Sequence, residues 1–424
     1  MLFDEFISSY KKGTPLYLKN KLWVDYKTLY EHFIQNNIPN SVCEEWKNFD
    51  TSKLYSTSWK LPILEEKQSK LNKQITYENC VVIVDGIYNK ELSNLEDGNY
   101  LRVIPLEEYK KINKSAENLI YNNPSKYSEN RLSGIKDTKS TSLLSVNTIL
   151  NNGVVIEVER NVSIKDNIKI LNLCSGNNEF INPYVLIICN EASKANFVDI
   201  SDNTNNNWIN PFYEFYIRKK AKVKFSSVQS NSSESFTTSS LNFHLYKNSS
   251  LNFSLLNKEN SKKDIRVFLK ENEASAEVNG LLVSSNDKVS DTFCKIVHLA
   301  RDTKSSQKWR LVSIDKSKTS VIGKIVVKKG SNKSDAKFHS KSLIMNEKAS
   351  SYSRPELEIF EGDIACSHGA SFGEIDKDKL FYLQSRGIKK NDALKMLLLS
   401  FINEINISDD FVRETILTEL NNYI

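Results

Sequence analysis

Between Gly153 and about Ile364 the apolar residues fall in short runs, alternate with polar positions, and are separated by Asn, Ser and Lys turns. No segment there keeps the 3.6-residue period of a helix, so the pattern predicts strands. The expected strands are 154–159, 168–173, 184–189, 212–217, 222–228, 241–246, 251–256, 265–270, 276–283, 309–314, 324–328 and 356–360. A loose repeat runs through them, in which a polar turn leads to a small residue and then to alternating small and apolar positions. It reads Ser193-Lys-Ala195-Asn-Phe197, Ala221-Lys-Val223-Lys-Phe225, Ser249-Ser-Leu251-Asn-Phe253, Ala274-Ser-Ala276-Glu-Val278 and Ser317-Lys-Thr319-Ser-Val321, with a degenerate copy from Ala349. The intervals are 28, 28, 25, 43 and 32 residues, the longer ones read as carrying insertions. A period of this size with small residues at the corners points to a solenoid, whose stacked coils bury one continuous core. Strands and turns at this spacing also build a β-sandwich, which stays open at this point.

The flanks follow a different rhythm. Residues 1 to about 60 read as helical, with Phe3, Phe6, Ile7 and Tyr10 on one face and Tyr26, Leu29, Tyr30 and Phe33 on another. Trp46, in the run Glu44-Glu45-Trp46-Lys47, suits a packing anchor. A β-branched run over 80–84 meets Asp85-Gly86, a strong hairpin signal. Residues 105–140 are polar and irregular, a connection rather than an element. At the other end Asp376 suits an N-cap and Gly387 a C′ glycine. Asn391 can cap the next helix, whose apolar stripe is Leu394, Leu397, Leu398, Phe401, Ile402 and Ile405. A third helix is expected from Ser408. The expected division is an N-terminal helical region with a hairpin and linker over 1–140, a core over 141–370, and a helical domain over 371–424.

Composition narrows the function classes. Six cysteines are spread without a C-x-x-C pair, against a zinc ribbon, a disulfide framework or a ferredoxin-type cluster site. The net charge of +6 comes from scattered residues, 58 basic against 52 acidic, so nothing marks a nucleic-acid surface. No apolar run is long enough to span a membrane and no leader is evident, so a reducing cytoplasm is the expected location. An organellar form with a removed transit peptide stays open. There is no G-x-x-x-x-G-K-[ST], G-x-S-x-G or H-E-x-x-H, hence no P-loop, hydrolase elbow or zincin helix.

The candidate chemistry lies in Cys366-Ser367-His368-Gly369. In extended backbone the thiol and the imidazole share a face about 7 Å apart, two strand rises. Thiolate and imidazole suit zinc, copper and iron better than magnesium or calcium. The plainer alternative is a buried cysteine beside a hydrogen-bonded histidine. His32, His244, His298 and His339 each suit a structural role, although His298 and His339 could approach the last strand. A carbohydrate-active β-helix enzyme would need two positioned carboxylates, and Asp199, Glu214 and Glu277 do not stack in the repeat.

The run CSHGAS-x-G-E-x-D, followed by LFYL-x-SRGI and an amphipathic helix, resembles the C-terminal signature of the SufB/SufD family of iron–sulfur cluster assembly proteins. Within it the chain is more similar to the SufD branch. SufB-type chains carry Glu-His-Glu-Ala in place of Cys-Ser-His-Gly-Ala and a cysteine at the position of Leu383. The E-E-W-K run at Glu44 and the strand–turn–LS element over 80–93 are similar too, with Asn48-Phe49 and Asp85 as departures. The resemblance implies a mainly β fold, a right-handed parallel β-helix core with helical N- and C-terminal domains. It implies a non-enzymatic scaffold that pairs with SufB through the β-helix and binds the ATPase SufC through its C-terminal helices. His368, and less strongly Cys366, would then be iron or cluster ligands at the SufB contact. Leu380, Phe381, Arg386, Leu394, Leu397, Leu398 and Phe401 would supply the SufC surface, part of the same stripe being used for intramolecular packing. Iron or a nascent iron–sulfur cluster is the implied cargo, with room for a reduced flavin in the complex. A homodimer is an alternative where SufB is absent.

Overall fold

The computed structural model describes residues 41–60, 77–95, 100–106 and 153–405, apart from positions 204, 232–233 and 259, with a few single residues elsewhere. The helices expected before residue 40, nearly all of the connection over 105–140, the segment 142–152 and the helix from Ser408 lie outside the described residues.

The strands form a ten-stranded and an eleven-stranded sheet, and the chain passes from one to the other and back in each coil of the core. From Val154 onward neighbours in each sheet run parallel and come from successive coils, which is a parallel β-solenoid and not a sandwich. Seven of the eight passages from the core into the ten-stranded sheet carry a non-glycine residue in the left-handed region just before the strand: Asn161, Ala192, Lys220, Asn248, Glu273, Asp302 and Lys333. A small, fully buried residue follows in most cases, such as Ser193, Ala221, Ser249, Ala274 and Thr303, because the corner leaves room for little else. These corners recur every 25 to 31 residues.

They also correct the repeat. Its fifth copy is Thr303-Lys-Ser305-Ser-Gln307 and its sixth Ser334-Asp-Ala336-Lys-Phe338. Ser317 and Ala349 start strands of the opposite sheet. The 43-residue interval is a change of face and not an insertion.

Parallel register stacks equivalent side chains into ladders along the solenoid axis. Phe197, Phe225, Phe253, Val278, Gln307 and Phe338 occupy one inward position on successive coils. Their rings stack, Phe225 on Phe253 at 5.2 Å and 12°. The rest of the interior is mostly Val, Ile, Leu and Ala, with further rings at Tyr213, Phe215, Phe243 and Trp309, in one continuous buried cluster. A polar island interrupts it at one end: buried Asp199 accepts hydrogen bonds from Tyr213 Oη (2.5 Å), Ser227 Oγ (2.8 Å) and Asn172 Nδ2 (3.0 Å). Burial raises the Asp199 carboxyl above its ordinary value despite these donors and the cation of nearby Lys263.

The Asp85-Gly86 hairpin forms as its turn residues require, with φ of 50° and 87°. Its first strand, Cys80–Val84, pairs in parallel with Ser163–Leu173 and so extends the ten-stranded sheet.

Residues 43–60 lie across the outside of the other sheet. Trp46, Phe49, Leu54 and Trp59 bury against Phe180, Trp208 and Phe236, so Trp46 is a packing anchor as its sequence context suggested. The helical turns here are short, Glu44–Trp46 and α1 (Ser52–Ser56). Polar ties fix the segment coil by coil. Lys60 bridges to Glu179, the Glu45 carbonyl accepts from Lys262, Asn48 donates to Ser320 at 3.0 Å, and Glu44 pairs with Arg354 on the last coil of that sheet.

Candidate metal-ligand edge and helical surface

Both sheets end at one place. The last strands, Ser350–Ile359 and Ile364–Glu374, are the outermost of their sheets. Among the described residues nothing pairs with their outer edges, so a row of backbone donors and acceptors is open there. Large apolar side chains crowd the same end, with Ile359, Phe360 and Phe372 each 43–58% exposed.

Register places the candidate ligands at this opening. Cys366 pairs with Ala336 and His368 with Phe338. Both therefore continue inward-facing ladders, the thiol at the small position and the imidazole at the aromatic one. In every coil below, those positions are closed over by the next coil. At the last coil nothing follows, so Cys366 packs against the end of the core while His368 is exposed. The extended backbone expected for this stretch is present, and the two side chains share a face. Burial, and then the charge of Asp335, push the Cys366 thiol above its ordinary value. Among the described residues no group of three or more His, Cys, Asp and Glu side chains converges as a metal site. This edge offers two donors, and a tetrahedral ion takes four.

The other histidines separate cleanly. His339 neighbours Gly369 on the outer face, the side opposite to His368. His298 is buried at the end of its strand, with Nδ1 2.8 Å from Thr303 Oγ1 and Nε2 2.8 Å from Ser305 Oγ. Desolvation lowers it to about 4. His244 stacks between Tyr216 and Phe268, at 4.8 and 5.2 Å. The carboxylates of a glycosidase reading do not converge. Asp199 faces the interior, Glu214 is buried on the outside of the eleven-stranded sheet beside Tyr184, and Glu277 lies on the outside of the other sheet.

Two helices follow the edge. α2 (Lys377–Ser385) is capped by Asp376, whose carboxylate accepts from the Asp378 and Lys379 amides at 3.1 and 3.0 Å. It ends at Gly387 with φ of +84°, the C′ glycine. α3 (Lys390–Asn403) starts one residue before Asn391, which therefore lies in the first turn and does not cap it.

The seven candidate partner residues divide between the body and the surface. Leu398 is fully buried, with Ile402 and Ile405, against Val283, Val312 and Leu343 of the ten-stranded sheet, and offers no external surface. Phe401 packs on the same cluster and lies under Arg310, whose guanidinium is 5.5 Å from the ring centre. Leu380, Leu394 and Leu397 are half-buried. Leu380 and Leu394 line a groove of about 640 Å³ with Ile314, Met345 and Ile375. Phe381 is 73% exposed, and Arg386 lies over the exposed Tyr382 ring. The helical pair thus grips the solenoid with one stripe and presents another. Tyr382 belongs with the exposed set, and no periodicity marked it. Among the described residues no helix is long and apolar enough to cross a membrane.

Comparison with known proteins agrees with this geometry. Residues 172–401 match the family model described as SUF system FeS cluster assembly, SufBD core domain. The chain is 31% identical over 145 residues to the iron–sulfur cluster assembly protein SufD of Escherichia coli, covering 34% of each chain. It is 39% identical over 90 residues to SufD of Bacillus subtilis, covering 20% of each. A SufBD family protein of Synechocystis is 27% identical over 150 residues, 35% of this chain and 33% of that one. The alignments thus span about a third or less of these relatives. A family match over more than half of the chain, on a parallel solenoid with this open edge, places the protein in the SufBD core family of the SUF iron–sulfur cluster assembly system.

Proposed function

We propose that the chain is a SufD-like, non-catalytic scaffold subunit that pairs with a SufB-type chain through its open solenoid end and binds a SufC-type ATPase through α2 and α3. The observation that carries this reading is the ending of the interior ladders in Cys366 and His368 at an unpaired edge. A second solenoid end docking there covers Phe360 and Phe372, satisfies the edge strands, and can supply the donors that two ligands leave missing. Iron or a nascent cluster is then cargo held between two subunits. His368 is the stronger ligand, because its imidazole is exposed. Cys366 is the weaker, because its raised thiol stays protonated until a cation displaces the proton. A site shared across a contact is opened by moving one side, and α3 is anchored beside that end by Leu398, Ile402 and the Arg310–Glu404 pair at 2.5 Å. Force applied to the helices by nucleotide-driven closure of the ATPase reaches the edge through the last coils. The active assembly accommodates a reduced flavin elsewhere, and the cytoplasm is the compartment this reading requires.

The test is co-expression with SufB- and SufC-type partners. The three chains should co-purify, and His368→Ala should leave the complex intact while cluster maturation is lost. Normal maturation by that variant would remove the ligand role. A chain that forms only homodimers in the presence of SufB would remove the pairing.

A further inference from the structure

The outside of the ten-stranded sheet carries two lanes. The C-terminal halves of its strands are apolar and covered, in part by α3. The N-terminal halves are polar and form an open cleft of about 720 Å³. Its floor is small, Ser250 and Ser275 with Asn252 and Ser306. Its two ends are lysines, Lys194, Lys222 and Lys224 on one side and Lys304, Lys308 and Lys337 on the other. Lys308 is 3.5 Å from Glu277 and Lys337 is 3.1 Å from Asp335. Among the described residues, the other four have no carboxylate partner. Lys194 and Lys222 are direct register neighbours, and like charges opposite one another on paired strands repel. An uncompensated stack of this kind is relieved by an anionic ligand.

We propose that this cleft binds an extended acidic segment of a partner protein, independently of the assembly role above. Spacing favours it. Three strand steps separate Lys222 from Lys304, through Ser250 and Ser275, or about 14 Å. Carboxylates four residues apart on an extended chain lie about 14 Å apart as well. The serine and asparagine floor can hydrogen-bond the backbone between them. Nucleic acid suits the cleft less. It has no aromatic platform for bases and no arginine fork for phosphate.

The experiment uses the full chain and a fluorescent oligo-glutamate peptide of about ten residues, which spans the cleft when extended, with binding read by anisotropy at low salt. The peptide should bind, and K222E/K224E/K304E should weaken it at least tenfold. K316E/K329E/K348E, which reverses exposed lysines outside the cleft, should change it less than twofold. Serine replacements at Lys222 and Lys304 guard against misfolding, because serine already holds that register position at Ser250 and Ser275; they should weaken binding in the same direction. No binding, equal weakening by both charge reversals, or tighter binding of an oligothymidylate of equal charge would each overturn the proposal.

Discussion

His298 is the histidine whose role can be decided by acid. Its ring is fully buried and bonded at both nitrogens. The Thr303 hydroxyl donates to the Ala300 carbonyl at 3.0 Å, so its oxygen is free to accept from Nδ1–H, and Nε2 then accepts from Ser305. That network satisfies a neutral imidazole, whereas a second ring proton would oblige the Ser305 hydroxyl to turn from donor to acceptor and would place a charge in the core. Burial accordingly lowers the group from 6.5 to about 4, with Asp335 offsetting only part of the effect. The unfolded chain binds more protons than the folded one between these values, so stability rises with pH across that window and is lost as pH falls through it. A displacement of this size corresponds to about 3 kcal/mol at full protonation. Replacing His298 with Gln keeps a donor for Thr303 and an acceptor for Ser305 but removes the titration. Urea unfolding of both proteins from pH 7.5 to 4 should show the wild type losing about 2–3 kcal/mol relative to the variant, most of it below pH 6. A difference that stays flat, or that is complete before pH 6, would refute the buried neutral imidazole and return His298 to the set of possible ligands.

Four further outcomes test the packing and the edge. A Cβ at Gly280 or Gly323 would run into the rings of Trp309 and Phe338 respectively, so each Gly→Ala change should cost about 1–3 kcal/mol in chemical denaturation. Leu398→Ala should cost about 2–5 kcal/mol, as expected for truncating a fully buried leucine. Phe381→Ala should stay within about 0.5 kcal/mol yet reduce capture of the ATPase in a pull-down, and the reverse pattern would exchange the two helix faces. Because burial and the Asp335 charge both hold the Cys366 thiol up, alkylation at pH 8 should be slow, and Asp335→Asn should speed it without unfolding the chain.

Much of this was legible in the residues. Alternation and turn composition marked the strands, and the corner residues marked the coils, because a solenoid writes its geometry as a period. The register was misread after Ala274, where Gln307 stands in the place of an aromatic and weakens the match. Aligned on the corner residues, Thr303, Ser334 and the half-buried Ile364 continue the series, and Cys366 and His368 fall on its small and aromatic positions. That alignment would have shown the two candidate ligands to face the axis. The position of Leu398 was harder to foresee, since one apolar stripe serves an intramolecular contact and an intermolecular one equally well. Nor could charge counts reveal the lysine cleft, as neighbours such as Lys194 and Lys222 are 28 residues apart in sequence and adjacent only across coils.

The segment from Glu44 to Lys60 has a bearing on how the molecule comes apart. A stack of coils that touch only their neighbours frays from its ends, one layer at a time. Here a clasp runs lengthwise from the Phe180 coil to Arg354, so the final layer cannot peel away without releasing a contact more than three hundred residues back in the chain. Loosening that clasp at Trp46 would soften the very rim on which the proposed second subunit would sit.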